Sequence, residues 1–219
     1  MTRAKINDPV AESKKATRFR ERILRAAFNA FIENGYAATS TLEIATRAKV
    51  SKRELYSLFG SKQAMLVACI AGRAARMRPP ADLSLPRGRQ ELASTLTAFG
   101  TRLLTEVSHA TVVAMFRLAI AEAERSPEIA HALNELGRAP PRSALARLLS
   151  NAQSAGLLGS GDPVSMARQY IALLWEDTLV TLLLRVTDSP PEDEIKRRAT
   201  QATATFLQLH QASLKQRRR

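Results

Sequence analysis

One cysteine, three histidines and no long uncharged apolar run set the first limits on this 219-residue chain. Cys69 alone excludes an intrachain disulfide and points to a reducing, cytoplasmic compartment. His109, His131 and His210 are too dispersed for a metal site, and Cys69 has no ligand residue beside it, so neither metal nor cofactor is expected. The most apolar stretch, residues 170–186, carries Glu176 and Asp177 at its centre, where each charge would cost roughly 2.5–3.5 kcal/mol in lipid. No membrane span is expected from it. The start, Met1-Thr2-Arg3-Ala4-Lys5, lacks the apolar run of a secretory leader.

Acidic residues are also in deficit: 20 Asp and Glu stand against 33 Lys and Arg, a net charge of +13. That surplus favours phosphate-rich partners, either nucleic acid or an anionic membrane surface. It is unevenly spread. The first 62 residues hold 13 basic against 6 acidic side chains and the remaining 157 hold 20 against 14, so positive charge is about three times denser at the N-terminal end. With 45% apolar residues the chain has ample material for a buried core.

No window alternates with period two long enough to argue a strand, and no internal repeat is present, so the chain reads as all-α with nine to ten helices. Residues 1–16 read as a flexible basic arm and residues 212–219, with Arg217 to Arg219, as a basic tail whose terminus is frayed and solvated. From Thr17, Ile23, Leu24, Ala27, Phe28 and Phe31 share one helical face, with Arg22, Arg25, Asn29 and Glu33 opposite, until Asn34-Gly35 stops the helix. Short helices follow over 41–48 and 52–59, then one capped by Ser61 that runs to the breaker at 78–80. Further helices are expected over 89–108, 109–125, 127–137, 141–155, 163–187 and 191–211.

Two short helices joined by three residues suit a helix-turn-helix, with Ile44, Ala45, Ala48, Val50, Leu55 and Phe59 available for its core. Ser51 with Glu54 three residues later forms a capping box, which gives Glu54 a structural task. Lys52, Arg53 and Tyr56 then lie opposite Leu55, Leu58 and Phe59 and can enter a major groove, with Arg53 as the base reader. Lys62 opposes the dipole of the helix it begins, a penalty that a phosphate would reverse; Ser40 and Thr41 offer phosphate contacts across the groove. The bland readings are a solvated basic face and, for Tyr56, a half-buried core aromatic.

The run Asn34-Gly35-Tyr36, then Thr41, Ile44-Ala45, Ala48, Val50-Ser51, then Leu55-Tyr56, Phe59 and Ser61-Lys62, resembles the DNA-binding signature of TetR-type bacterial transcriptional regulators. The resemblance spans about residues 18–66. It implies that 52–59 is the recognition helix and that Tyr56 and Lys62 touch phosphate. Arg117 to Ala123 and Ser126-Pro127-Glu128 resemble the AefR-type subgroup, which makes the later helices an effector domain. One departure is Lys49, where the family usually has glycine; a left-handed backbone there costs roughly 1–2 kcal/mol, and Lys49 could contribute a phosphate contact.

On this reading residues 17–65 form the DNA-binding domain and 66–211 the effector and dimerisation domain. The helix from Pro163 is apolar nearly all round, and Ile195, Ala199, Ala202, Phe206 and Leu209 follow one another as in the seam of a close helix pair. A two-fold homodimer is expected through Tyr170, Leu174 and Leu182 with those five residues. An apolar pocket for a small-molecule effector is expected among Phe99, Leu103, Val113, Phe116, Trp175 and Leu179, each of which could equally be plain core.

Enzyme signatures are missing. Gly156, Gly159, Ser160 and Gly161 form neither a phosphate loop nor a nucleophile elbow, and Glu122, Glu124 and Glu128 read as a solvated acidic face. The expected function is a ligand-responsive repressor of double-stranded DNA, not an enzyme. The alternatives are a helical enzyme or ligand carrier with a basic face, and a non-specific architectural DNA protein.

Overall fold

The computed structural model describes residues 9–76 and 86–212, and all regular structure among them is helical. In chain order the helices are α1 (Pro9–Asn34), α2 (Thr41–Ala48), α3 (Lys52–Phe59), α4 (Lys62–Arg76), α5 (Arg89–Ser108), α6 (Ala110–Ala121), α7 (Pro127–Ala132), α8 (Ala139–Ser154), α9 (Pro163–Trp175), α10 (Thr178–Leu184) and α11 (Glu192–Leu209). A π-helical turn, Leu133–Arg138, joins α7 to α8. Residues 1–8 of the expected arm, the breaker at 78–80 and the tail from 213 onward lie outside the described residues. The chain forms two compact units, one of Met1–Gly72 with Leu118–Ala132 and the other of Arg73–Arg117 with Leu133–Arg219. Residues 118–132 thus group with the N-terminal unit.

In the first unit α1 begins eight residues earlier than its apolar period suggested, at Pro9. Proline is tolerated in the first turn because its missing N–H would have no partner there, and Val10 to Ala16 contains no glycine or further proline to interrupt the helix. Of the expected face Ile23, Ala27 and Phe31 are buried and Leu24 and Phe28 partly so, and Ala30 joins them. The chain leaves α1 through Gly35 at φ +80°, a conformation that favours glycine. α1 packs on α2 and α2 on α3. Leu55 and Phe59, four residues apart, carry the inner face of α3, whereas Leu58 is 44% exposed and leaves the core group in which the sequence placed it. In a helix of two turns the inward stripe has room for one i, i+4 pair, and Leu58 falls on its shoulder.

Glu122 is also relocated. It is 7% exposed, not part of a solvated face, and together with Glu128 it raises the Tyr36 phenol above its ordinary range, after burial, which is the larger cause.

In the second unit one core joins Leu92, Leu96 and Phe99 of α5 with Leu145 and Leu149 of α8, Tyr170 and Leu174 of α9, and Ile195, Ala199 and Phe206 of α11. Gly100 makes the closest approach possible: a Cβ there would stand 2.6 Å from Tyr170 Oη and 2.8 Å from Leu174 Cδ2. The Tyr170 hydroxyl, fully buried, donates to Leu96 O at 2.6 Å and meets Thr203 Oγ1 at 3.1 Å, which satisfies the one polar atom this ring brings into the core.

The residues expected in the dimer seam also pack within the protomer. Tyr170, Leu174, Leu182, Ile195, Ala199, Ala202 and Phe206 are each at most 5% exposed within a single chain, so their side chains are consumed by the protomer's own packing. Leu209, at 67% exposed, is the exception. An i, i+3, i+4 seam looks the same in sequence whether its partner helix lies in the same chain or another, and here the partners of α11 are α5 and α9.

The long helix expected from Pro163 breaks after Trp175. Glu176 adopts φ +44°, and α10 starts afresh at Thr178, which raises the count to eleven α-helices among the described residues. Arg198 gathers the break: it bonds Glu194 at 2.6 Å and the Thr178 hydroxyl, and lies 3.9 Å from Glu176. At the far end of α10, the Arg117 guanidinium donates to Leu183 O at 3.0 Å and Leu182 O at 2.5 Å, adding to the Arg185 N–H that Leu182 O already accepts.

Candidate nucleic-acid interface

The reading head is built by caps. Ser40 starts α2 by accepting Glu43 N–H at 3.1 Å. α2 ends at Lys49, which takes the left-handed conformation (φ +52°, ψ +52°) that a position usually held by glycine demands; its N–H turns back to Ala45 O and Thr46 O. Ser51 then starts α3 with a complete capping box: its Oγ accepts Glu54 N–H at 3.1 Å, and Glu54 Oε2 accepts Ser51 N–H at 2.7 Å. These bonds, from the Ser51 backbone first and its hydroxyl second, hold the Glu54 carboxyl below the usual carboxylate range. Glu54 is therefore a structural anion, as its spacing implied.

With α3 fixed at both ends, its outer side chains are free. Lys52 and Arg53 are exposed and form no ion pair among the described residues. Tyr56 is 45% exposed, and its hydroxyl meets Thr41 Oγ1 at 3.2 Å, so the structure brings two expected contact residues from α2 and α3 together. Lys49, Ser40 and Ser51 are exposed beside them.

Lys62 is not placed as a free, phosphate-seeking ammonium. Its Nζ donates to Tyr36 O at 2.8 Å, Thr39 O at 3.1 Å and Ala37 O at 3.4 Å, and sits 4.4 Å from the Tyr36 ring centroid. All three ammonium protons are used, so in this structure Lys62 closes the loop after α1. The partners are 23 to 26 residues away in sequence, beyond what local spacing can signal.

Three further features escaped the sequence reading. Thr39 is 1% exposed, and its hydroxyl lies 2.9 Å from Ala30 O and 2.7 Å from Gly35 O, which pins the same loop from inside. Leu42 is 59% exposed at the start of α2, an apolar surface on the contact face. Arg22, Arg25 and Asn29 of α1 line a cleft of about 390 Å³ with Arg47 of α2; Arg47 is neutralised by Glu33 at 2.5 Å and Glu43 at 2.7 Å, whereas Arg25 and Arg22, whose charge also acts on Glu54, form no such close ion pair among the described residues. The exposed arginine face of α1 was visible in sequence, but its junction with α2 was not.

Residues 23–69 match the family model described as bacterial regulatory proteins, tetR family, and residues 94–212 match that of the AefR-like transcriptional repressor C-terminal domain. The chain belongs to the TetR family. A solved TetR-family regulator from Mesorhizobium loti is 26% identical, covering 89% of this chain and 98% of its own at a TM-score of 0.74. The flavonoid-responsive regulator FrrA is 30% identical over 89% of this chain and 98% of its own, with a TM-score of 0.75. YvkB of Bacillus subtilis, an uncharacterised helix-turn-helix regulator, is 33% identical over 89 residues, a match spanning 41% of this chain and 45% of that relative.

The six residues expected around a TetR-type effector are placed unequally. Phe99 belongs to the core of the second unit, with Leu103 and Trp175 packed against it; Val113 is 5% exposed, and Phe116 and Leu179 are partly buried. Trp175 Nε1–H is buried without a hydrogen-bond partner, an uncommon arrangement for an indole. None of the six lines the cavity of about 550 Å³ found in this unit. No single helix among the described residues is long and apolar enough to cross a membrane.

Proposed function

We propose that this protein is a homodimeric repressor that binds a palindromic operator and is released from it by a small-molecule effector. The observation that carries the reading is the α3 face: Lys52, Arg53 and Tyr56 stand exposed on a helix whose own anion, Glu54, is tied into the cap. Arg53 reads base edges, Tyr56 and Thr41 hold phosphate, and Lys49, Ser40, Ser51 and Lys52 flank them. The backbone N–H groups at the start of α4 serve phosphate while Lys62 holds the loop. Nothing in this role requires a catalytic step, and it places the protein in the cytoplasm beside DNA.

The second copy docks on apolar surface that the protomer leaves exposed. Val180 (56%) and Leu184 (67%) lie four residues apart on α10, and Leu209 (67%) lies at the end of α11. In such a dimer two α3 helices reach successive major grooves about 34–36 Å apart. The flavonoid-responsive relative makes small planar aromatic compounds the first effectors to try, and the unpartnered Trp175 N–H offers such a ligand a donor.

The test is selection of bound fragments from genomic DNA at about 0.15 M salt, where non-specific affinity is weak. One enriched palindrome, with preference relaxed at single positions by Arg53→Ala at a cost of about 1–3 kcal/mol, supports the reading. A flat profile that Arg53→Ala leaves unchanged refutes it.

A further inference from the structure

We propose that the cavity of about 550 Å³ at the C-terminal end of α5 is a binding site for a small amino alcohol, separate from the aromatic residues around Trp175. It lies wholly in the second unit, between the last two turns of α5, the first residue of α6 and the segment that leads into α11.

The hydroxyls that line it have already committed their protons. Thr101 donates to Thr97 O at 2.8 Å, Thr105 to Thr101 O at 3.0 Å, and Ser189 to Ser108 O at 2.6 Å. What these three present to the cavity is lone pairs. Glu192 adds a carboxylate that forms no ion pair among the described residues. The negative end of the α5 dipole falls at Ser108, the last residue of that helix. Four acceptors, one of them ionised, at a helix C-terminus call for a cation rich in donors, which an ammonium group supplies with three.

Two lining groups complete the specification. Ser108, only 4% exposed, brings its hydroxyl to the lining. His109 accepts Thr111 N–H on Nδ1 at 3.2 Å, which leaves Nε2 as its donor. A buried hydroxyl and an imidazole N–H together suit an oxygen on the same ligand. Pro190, Ala110 and Ile195 provide apolar wall for a short carbon chain between the two polar ends. The pocket opens to solvent, and its volume is within the range that admits small organic ligands.

The experiment is titration calorimetry of the full chain, without DNA, with 6-amino-1-hexanol and with 1,6-hexanediol, which differs by the ammonium alone. Saturable one-site binding of the amino alcohol, at least tenfold tighter than the diol, is expected. Glu192→Gln should weaken it about tenfold, the scale of one hydrogen bond to a charged group. Ser108→Ala should weaken it several-fold, and Asp193→Asn, which removes a neighbouring acid outside the cavity, should leave it unchanged. Equal affinity for both compounds, no saturation, or equal loss in Glu192→Gln and Asp193→Asn would overturn the proposal. Because no DNA is present, failure here leaves the operator reading untouched, and failure of that reading leaves this site standing.

Discussion

Lys62 Nζ lies 4.4 Å from the centroid of the Tyr36 ring and 2.8 Å from the carbonyl oxygen of the same residue. One side chain thus ties the start of α4 to the loop that delivers α2 to its place beside α3. Lys62→Met should cost about 1–3 kcal/mol of stability, the range for bonds from a charged donor, measured by urea unfolding. The slope of log affinity for DNA against log salt should be unchanged in the variant. A slope smaller by about 0.9 would instead show that the ammonium neutralises a phosphate in the complex.

Lys49 holds a left-handed backbone without being glycine. Relief of that strain in Lys49→Gly should raise stability by about 1 kcal/mol, seen as a higher thermal midpoint. The same change removes an exposed cation from the contact face, so DNA affinity should fall and the salt slope should drop by about 0.9. Unchanged affinity would sink the phosphate contact at this position.

Gly100 has no space for a methyl group, with Tyr170 Oη at 2.6 Å and Leu174 Cδ2 at 2.8 Å from where it would sit. Gly100→Ala should cost about 1–3 kcal/mol through overpacking, despite the higher helix propensity of alanine. Adding Tyr170→Phe to Gly100→Ala should recover part of that loss, because the nearest clashing atom is gone. Full additivity of the two penalties in denaturant melts would contradict the close approach.

Two buried acids set the alkaline limit of the fold. Burial pushes the Cys69 thiol up from 9.0 to about 12 and the Tyr170 phenol up from 10.0 to about 12. In both cases the folded chain keeps its proton where the unfolded chain has lost it, so stability is full below the unfolded value and falls as pH rises toward 12. Each pH unit in that window should remove about 1.4 kcal/mol per group. Cys69→Ala should flatten the decline between pH 9 and 10, and Tyr170→Phe the added steepness above 10. Curves parallel to the parent in both variants would exclude these groups as the cause.

Where helices begin and end was legible wherever a side chain does the capping. Ser51 and Asp162 mark their helices in sequence and cap them in space, and α2 and α3 have the boundaries their patterns required, as does α5 although Gly88 gives it no side-chain cap. The face of α3 was legible for the same reason: Ser51 and Glu54 fix which side chains can turn outward. Pairings across long stretches of chain were not. Lys62 with Tyr36, Gly100 with Tyr170, and Arg117 with Leu182 join residues 26, 70 and 65 apart, and no periodicity encodes such meetings. The break at Glu176 was hidden for a different reason. Two adjacent acids in an apolar run are compatible with a continuous helix that exposes them, and the Arg198 contacts that accompany the bend come from α11, far along the chain.

Residues 118–132 belong to the same compact unit as the reading head, with Ile129 wholly buried there and Glu122 nearly so. The head is therefore not a portable module that ends where its signature ends. A fragment cut after residue 72 would lack Glu122 and Glu128, whose charges act on the Tyr36 phenol. Chimeras that graft a foreign DNA-reading segment onto this scaffold must transplant two stretches of chain, not one. In divergence within a lineage, substitutions around Tyr36 and Glu128 should arise in step, although more than ninety positions separate them.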